Sequence, residues 1–253
     1  MSETGHFQSW SHYSGLLLSD GDGRFESAIF GFENASSGNS SLEHFEIPAG
    51  GAVWAFCGSG RAMIGDKTTS FMLSAFQWAH LKDGCAVSIR DRDTRIMVIQ
   101  NLGFNGMYSM GGPIEDKGRL RYIDKCTDSL LCPPPLLGDP CLNHLHFPAG
   151  IDQSEHTHPS TRAGIVARGR GVCTTPDGQY DLLPGVIFFI PTDGRHKFAT
   201  SDSSMDVIAF HPDSDFGPTH EHHPMINRTL VGGAKMNNTQ GRHLEAEFII
   251  GRR

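Results

Sequence analysis

Along this chain the apolar residues come in short runs or in strict alternation, and the three-to-four-residue spacing of an amphipathic helix is hard to find. Segments 28–32, 43–47, 53–57, 86–89 and 95–100 in the first half, then 142–147, 164–168, 185–190 and 205–211 in the second, read as strands separated by turn-forming Gly and Pro. Short strands at this spacing predict an all-β chain of sandwich or jelly-roll type. Between the halves, segment 103–140 holds Gly111-Gly112-Pro113 and Cys132-Pro133-Pro134-Pro135. Consecutive prolines cannot donate ladder hydrogen bonds, so this stretch predicts a linker, with a short helix near 113–121.

An internal repeat organises the two halves. His44-Phe-Glu-Ile-Pro48-Ala49-Gly50 is followed by Val53 and Gly58-Ser-Gly60, and His144-Leu-His-Phe-Pro148-Ala149-Gly150 is followed by Ile165 and Gly169-Arg-Gly171. Each copy reads as strand, Pro-Ala-Gly turn, strand, Gly-x-Gly turn. The interval from Gly50 to Gly58 is 8 positions and that from Gly150 to Gly169 is 19, so the second copy carries 11 additional residues, among them Glu155-His156-Thr157-His158. Beyond the Gly-x-Gly turns the copies come back into step: His80 stands opposite Pro191 and Cys85 opposite His196. The expectation is two similar barrels over 1–110 and 141–253, joined by a linker over 111–140.

The remaining composition narrows the function. With 21 basic and 28 acidic residues, a net charge of -7 and neither sign gathered into a run, nucleic-acid and anionic-membrane partners are disfavoured. Residues 1–10 lack a basic region followed by an apolar stretch, and no later run is long enough to cross a bilayer, so the expectation is a soluble, cytoplasmic protein. The six cysteines form no Cys-x-x-Cys pair, which argues for reduced thiols rather than a zinc ribbon or redox site.

Candidate chemistry concentrates in the second copy. In His156-Thr157-His158 the imidazoles are two residues apart, so on extended backbone both point to one face. The segment from Leu183 through Pro191 to His196 runs from an apolar strand into a turn that delivers a third imidazole. Three neutral imidazoles suit Fe(II), Zn(II), Ni(II), Cu(II) or Mn(II), and three protein ligands leave positions open for chemistry. Other neighbours have two readings each. His144 and His146 alternate on one strand face, either looking into the barrel as acid/base groups or facing solvent and polar neighbours. Glu155 faces away from His156 as a supporting or surface group. Phe188, Phe189 and Phe198 supply core packing and then a substrate wall. The His-rich tail from His211 to His223 reads as a solvated loop or a lid over a barrel mouth.

These residues resemble the cupin superfamily, whose first motif places His-x-His before a Glu and a Gly and whose second ends in a proline followed by a His. Here they stand as His156-Thr-His158, Gly169 and Pro191-Thr-Asp-Gly-Arg-His196. Over roughly 40–102 and 141–212 the chain looks like a bicupin, two tandem cupin-type double-stranded β-helix (jelly-roll) barrels with a degenerate first barrel. It departs from the pattern where a carboxylate ligand is usual, because Arg162 stands there and Arg cannot ligate a cation. Arg162 is then either an anchor for a substrate carboxylate or phosphate, or an exposed strand arginine. The resemblance implies a three-His Fe(II) dioxygenase acting on a small, anionic organic substrate, like the cupins that cleave diketones or aromatic rings or oxidise thiols. It also leaves two alternatives. One is an Mn(II)- or Zn(II)-dependent lyase, hydrolase or isomerase, similar in layout to the ureidoglycine aminohydrolases but with a different ligand spacing. The other is a non-catalytic binding module. The first barrel is expected to serve as a packing partner or as the interface of a homo-oligomer.

Overall fold

A computed structural model of the protein describes residues 6–21, 26–34, 44–136, 138–213, 230–231 and 234–235. The strands are β1 (Gln8–Trp10), β2 (Ser14–Asp20), β3 (Ser27–Glu33), β4 (His44–Glu46), β5 (Gly51–Ser59), β6 (Arg61–Gly65), β7 (Ser70–Ser74), β8 (Trp78–Leu81), β9 (Ala86–Ile89) and β10 (Arg95–Leu102). They continue as β11 (Ser109–Gly111), β12 (Leu120–Arg121), β13 (Thr127–Cys132), β14 (Cys141–Phe147), β15 (Arg162–Gly169), β16 (Gly171–Thr175), β17 (Gly178–Leu182), β18 (Ile187–Ile190), β19 (Lys197–Ala199) and β20 (Met205–His211). A separate unit, 216–253, contributes a short antiparallel pairing of Leu230–Val231 with Ala234–Lys235. Among the described residues no helix is long and apolar enough to cross a membrane.

The expected all-β architecture is present as two tandem jelly-roll barrels, each made of a large and a small sheet. The first pairs the order β11-β8-β5-β10-β3-β2 with β4-β9-β6-β7. The second pairs β1-β18-β15-β20-β14-β13-β12 with β17-β16-β19. Period-2 alternation on the large sheets generates three cores. Val53, Ala55, Leu81, Ile96 and Val98 fill the first barrel, and Phe147, Val166, Phe188, Val207 and Ala209 fill the second. The opposite faces of the two large sheets form a third cluster, with Trp54, Phe56 and Ile99 against Ile165, Ile208 and Phe210.

The barrels correspond in backbone geometry, but not in the register read from the sequence. β4, carrying His44, pairs with β9 in a small sheet, whereas β14, carrying His144, pairs with β13 and β20 in a large one. β14 is therefore the counterpart of β3, and the connection from β14 to β15 is no longer than that from β3 to β5. Gly60 and Gly169 both adopt positive φ, +63° and +69°, and at both a Cβ would run into the residue before the following central strand, Thr94 or Ser204. Only glycine fits those turns. Cys85 and Ile47 exchange both backbone hydrogen bonds (2.7 and 3.0 Å), and His196 and His156 do the same at the corresponding place in the second barrel (3.0 and 3.1 Å).

The segment read as a linker is organised differently from the expectation. No helix forms over 113–121. Instead β11 joins the first large sheet, β12 and β13 join the second, and a 3-10 turn occupies Ile123–Lys125. The prolines 133–135 fall just after β13 ends, where a missing donor costs no ladder bond. The chain start also crosses over: β1 pairs antiparallel with β18 (Gln8↔Phe189, Trp10↔Ile187), taking beside the second barrel the place that β11 takes beside the first. Phe7, buried ahead of β1, packs on Tyr180 and Phe188 at ring-centroid distances of 4.6 and 6.1 Å. Replacing Phe7 with Ala is therefore expected to destabilise the protein by about 2–4 kcal/mol, the cost of emptying a buried aromatic site. Chemical denaturation measures it, and unchanged stability would show that the amino-terminal strand is not docked on β18.

Candidate metal centre

The mouth of the second barrel gathers the three expected imidazoles. His156 and His158 lie on the connection between β14 and β15, which is extended but makes only isolated bridges, at Asp152 and His156. His196 stands just before β19. The antiparallel bridge His156↔His196 sets the two residues opposite each other, and a further bond from the Asp193 amide to the His158 carbonyl (2.9 Å) ties the same turn to the second histidine. Opposed residues in such a pair project to one side, and His158, two residues along, joins them. The ring centroids are 4.5 Å apart for His156 and His196, 5.0 Å for His156 and His158, and 5.1 Å for His158 and His196.

The hydrogen bonds determine which nitrogens are available. Nδ1 of His156 lies 2.8 Å from the Ser154 carbonyl and Nδ1 of His196 lies 2.8 Å from the Gly194 carbonyl. A carbonyl only accepts, so both Nδ1 atoms carry the proton and both Nε2 atoms keep a bare lone pair. Nε2 of His196 is fully buried and has no hydrogen-bond partner among the described residues. Such an atom is expensive unless something binds it. One ligand atom from each histidine can be chosen so that all lie within 4.8 Å of one another. The donor set, its tautomers and the buried lone pair together fit a divalent transition-metal ion.

Electrostatics favours the neutral, ligating form. Burial, reinforced by the Arg162 charge and the neighbouring imidazoles, pushes His158 down to about 3. Burial also takes His196 down to about 4, against the opposing hydrogen bond to Gly194. The cavity in front of the rings is narrow. Its walls are largely apolar, including Leu145, Phe147, Phe188 and Phe198.

The other expected residues divide. Arg162, at the start of β15, lines the cavity; its Nη1 donates to the Ser160 and Thr161 carbonyls (3.1 and 2.8 Å) and to the Ser160 hydroxyl (2.5 Å). His146 does not reach the cavity, which corrects its expected place as an acid/base group there. Alternation along β14 sends Leu145 and Phe147 inward, so His144 and His146 share the opposite face. There both donate to the same oxygen of buried Asp206 (2.8 Å each), whose second oxygen accepts from Nε of Arg168 (3.0 Å). Burial acts to raise the Asp206 carboxyl, but these donors and the Arg168 charge hold it below the usual carboxylate range. Glu155 is exposed and pairs with Arg195, the residue before His196. Phe188 and Phe198 wall the cavity, whereas Phe189 points into the cluster between the barrels. All six cysteines are free and buried.

Sequence reasoning missed three polar cavity residues, Tyr122, Gln153 and His211. Residues 214–223 of the His-rich tail lie outside the described residues, but His211 itself ends β20 and faces the cavity. The signal was available, since Ala209 and His211 share strand parity on a segment already read as β. Burial and the charges of Arg162 and His158 hold His211 far below the ordinary histidine value.

Comparison with known proteins bears on the fold. Residues 143–211 match the family model described as Cupin domain. A comparison with curated sequences finds no significant match. Among solved structures, the chain is similar to a cupin 2 conserved barrel domain protein from Leptotrichia buccalis, with TM-score 0.52 and 14% identity, covering 83% of this chain and 90% of that one. It is also similar to protein Ylba from E. coli, with TM-score 0.54 and 15% identity over 87% of this chain and 96% of that one. A salicylate 1,2-dioxygenase variant from Pseudoaminobacter salicylatoxidans, in complex with gentisate, gives TM-score 0.53 at 9% identity over 74% and 68% of the two chains. Residues 143–211 thus match a cupin domain, and the chain shares its barrel fold with these solved structures.

Proposed function

We propose that the second barrel is the catalytic unit of a metal-dependent enzyme, with His156, His158 and His196 as the ligands of one divalent ion. The observation that carries this reading is the trio of imidazoles with ligand atoms within 4.8 Å, one of them a buried Nε2 with no other partner among the described residues. The working unit is then 141–213 together with β1, β12 and β13, which complete its sheet. The first barrel of this bicupin, with Ile47 and Cys85 at the bridged position, packs against it and is available as a homo-oligomer interface.

A divalent ion in this set would supply Lewis acidity and, if it is iron, redox chemistry with dioxygen. We assign the activity to the three-His Fe(II) dioxygenases, because the ligand set is all imidazole and Arg162 stands where a carboxylate ligand would be. The chain's own residues have separable tasks. The Ser154 and Gly194 carbonyls hold two imidazoles in the ligating tautomer. Leu145, Phe147, Phe188 and Phe198 limit water and set the size of the substrate. Arg162 presents its charge to a small anionic organic substrate, and Ser160, whose hydroxyl also bonds Asp213, steadies the guanidinium.

Three outcomes follow. Protein purified without chelator is expected to carry iron and to consume oxygen with candidate acids, diketones or catechols, while His156→Ala and His196→Ala lose the metal and keep a folded melting transition. Zinc or manganese with oxygen-independent turnover would move the enzyme to a lyase, hydrolase or isomerase, and no metal would end the reading. Arg162→Ala is expected to retain metal and weaken binding of anionic substrates about 10- to 100-fold, in line with a lost charge-assisted hydrogen bond. Unchanged KM would reject the anchor.

The third concerns pH. Burial holds His80 at about 4, and His158 and His196 lie at about 3 and 4, against 6.5 for an unperturbed ring. The unfolded chain takes up these protons first, so metal-free stability is complete above about pH 7 and is lost as pH falls from about 6.5 toward 4. Buried Asp128, pushed up to about 6, works in the opposite sense over part of this range, whereas His211, held far below the ordinary histidine value, adds a fourth ring to the same side as the other three. Melting temperatures across this window should fall with acid, less steeply in His196→Gln, and a flat profile would contradict the assignment of buried neutral imidazoles.

A further inference from the structure

His211 is a fourth imidazole in the cavity and is not one of the three whose ligand atoms cluster. It belongs to β20, a strand bonded on both sides, to β14 (Cys141↔His211) and to β15 (Ala163↔Phe210). Its backbone is therefore set by the barrel, whereas His156 and His158 lie on the connection between β14 and β15, held by isolated bridges. Ala209, two residues earlier on the same face, lines the cavity beside it.

The polar atoms of the cavity differ in what they already do. Gln153 is occupied at both ends, accepting from the Phe198 amide (3.3 Å) and donating to Sγ of Cys126 (3.8 Å). Arg162 is engaged with Ser160 and Thr161. His211, partly buried, turns its ring to the cavity and is not among the buried groups left without a partner, so its nitrogens stay accessible to what enters there. An imidazole held rigidly at a cavity wall, near but outside a ligand trio, is placed to bind what the metal binds.

We propose that His211 is the binding residue for the outer end of the molecule held at the metal, donating a hydrogen bond to an oxygen or nitrogen atom remote from the ion. This rests on the metal-centre reading above and adds to it a specificity: the site favours small ligands with an acceptor at both ends over monatomic ones. Arg162 and His211 then divide the ligand between them, the guanidinium meeting its charge and the imidazole its far acceptor.

The test uses the full chain loaded with cobalt(II), with azide as the two-ended probe and chloride as the monatomic one, followed by visible absorption. His211→Leu is expected to bind the same amount of cobalt as the unaltered protein and to bind azide about tenfold more weakly, with chloride unchanged. His211→Gln, which keeps a donor, should recover most of the azide affinity, and its melting temperature checks that the fold survives. Equal azide affinity in all three proteins would overturn the proposal while leaving the metal centre intact. Loss of cobalt from both His211 variants would overturn it by making His211 a ligand. Failure of the unaltered protein to take cobalt would remove the metal centre and this inference with it.

Discussion

The antiparallel bridge between His156 and His196 is the contact on which the site depends. Each residue gives its amide to the other's carbonyl, so the connection from β14 to β15 and the turn after β18 are pinned at one point and their side chains are forced to the same side. Metal affinity then does not have to pay for bringing the two rings together, because backbone pairing already does so. The first barrel makes the same bridge with Ile47 and Cys85 and buries both. One backbone device thus serves as core in one barrel and as a ligand frame in the other, and the difference at the bridge lies in two side chains.

The large sheet beneath the site is completed by segments from outside the stretch that matches the cupin domain. β1 closes one edge of the second large sheet and β13 with β12 close the other, leaving β15 and β20 in the interior. The face of that sheet turned toward the first barrel is mostly apolar, but it includes a buried network in which one Asp206 carboxylate receives His144, His146 and Arg168. Removing all three donors there would strand a buried charge. These histidines are therefore read as structural, and the same alternation that turns them away from the cavity turns Leu145 and Phe147 into it.

The all-β class and the strands at 28–32, 53–57, 95–100, 142–147 and 205–211 were legible, because period-2 burial writes itself directly into residue order. So was the trio of histidines, through the two-residue spacing of His156 and His158 and the register of the repeat that set His196 against Cys85. The 111–140 segment was misjudged for a physical reason. Prolines interrupt a ladder only where a donor is needed, and β13 stops at Cys132, just before them.

What residue order alone determined is local: which segments alternate, where glycine permits a positive φ, and which imidazoles share a face. What only the tertiary structure decided is which face of β14 meets the cavity, that His211 borders the ligand set, and that the chain start completes the sheet of the second barrel. Alternation tells that two residues share a side but not which side is inside. That choice is made by the burial of the whole sheet between two cores, a sum over strands far apart in sequence.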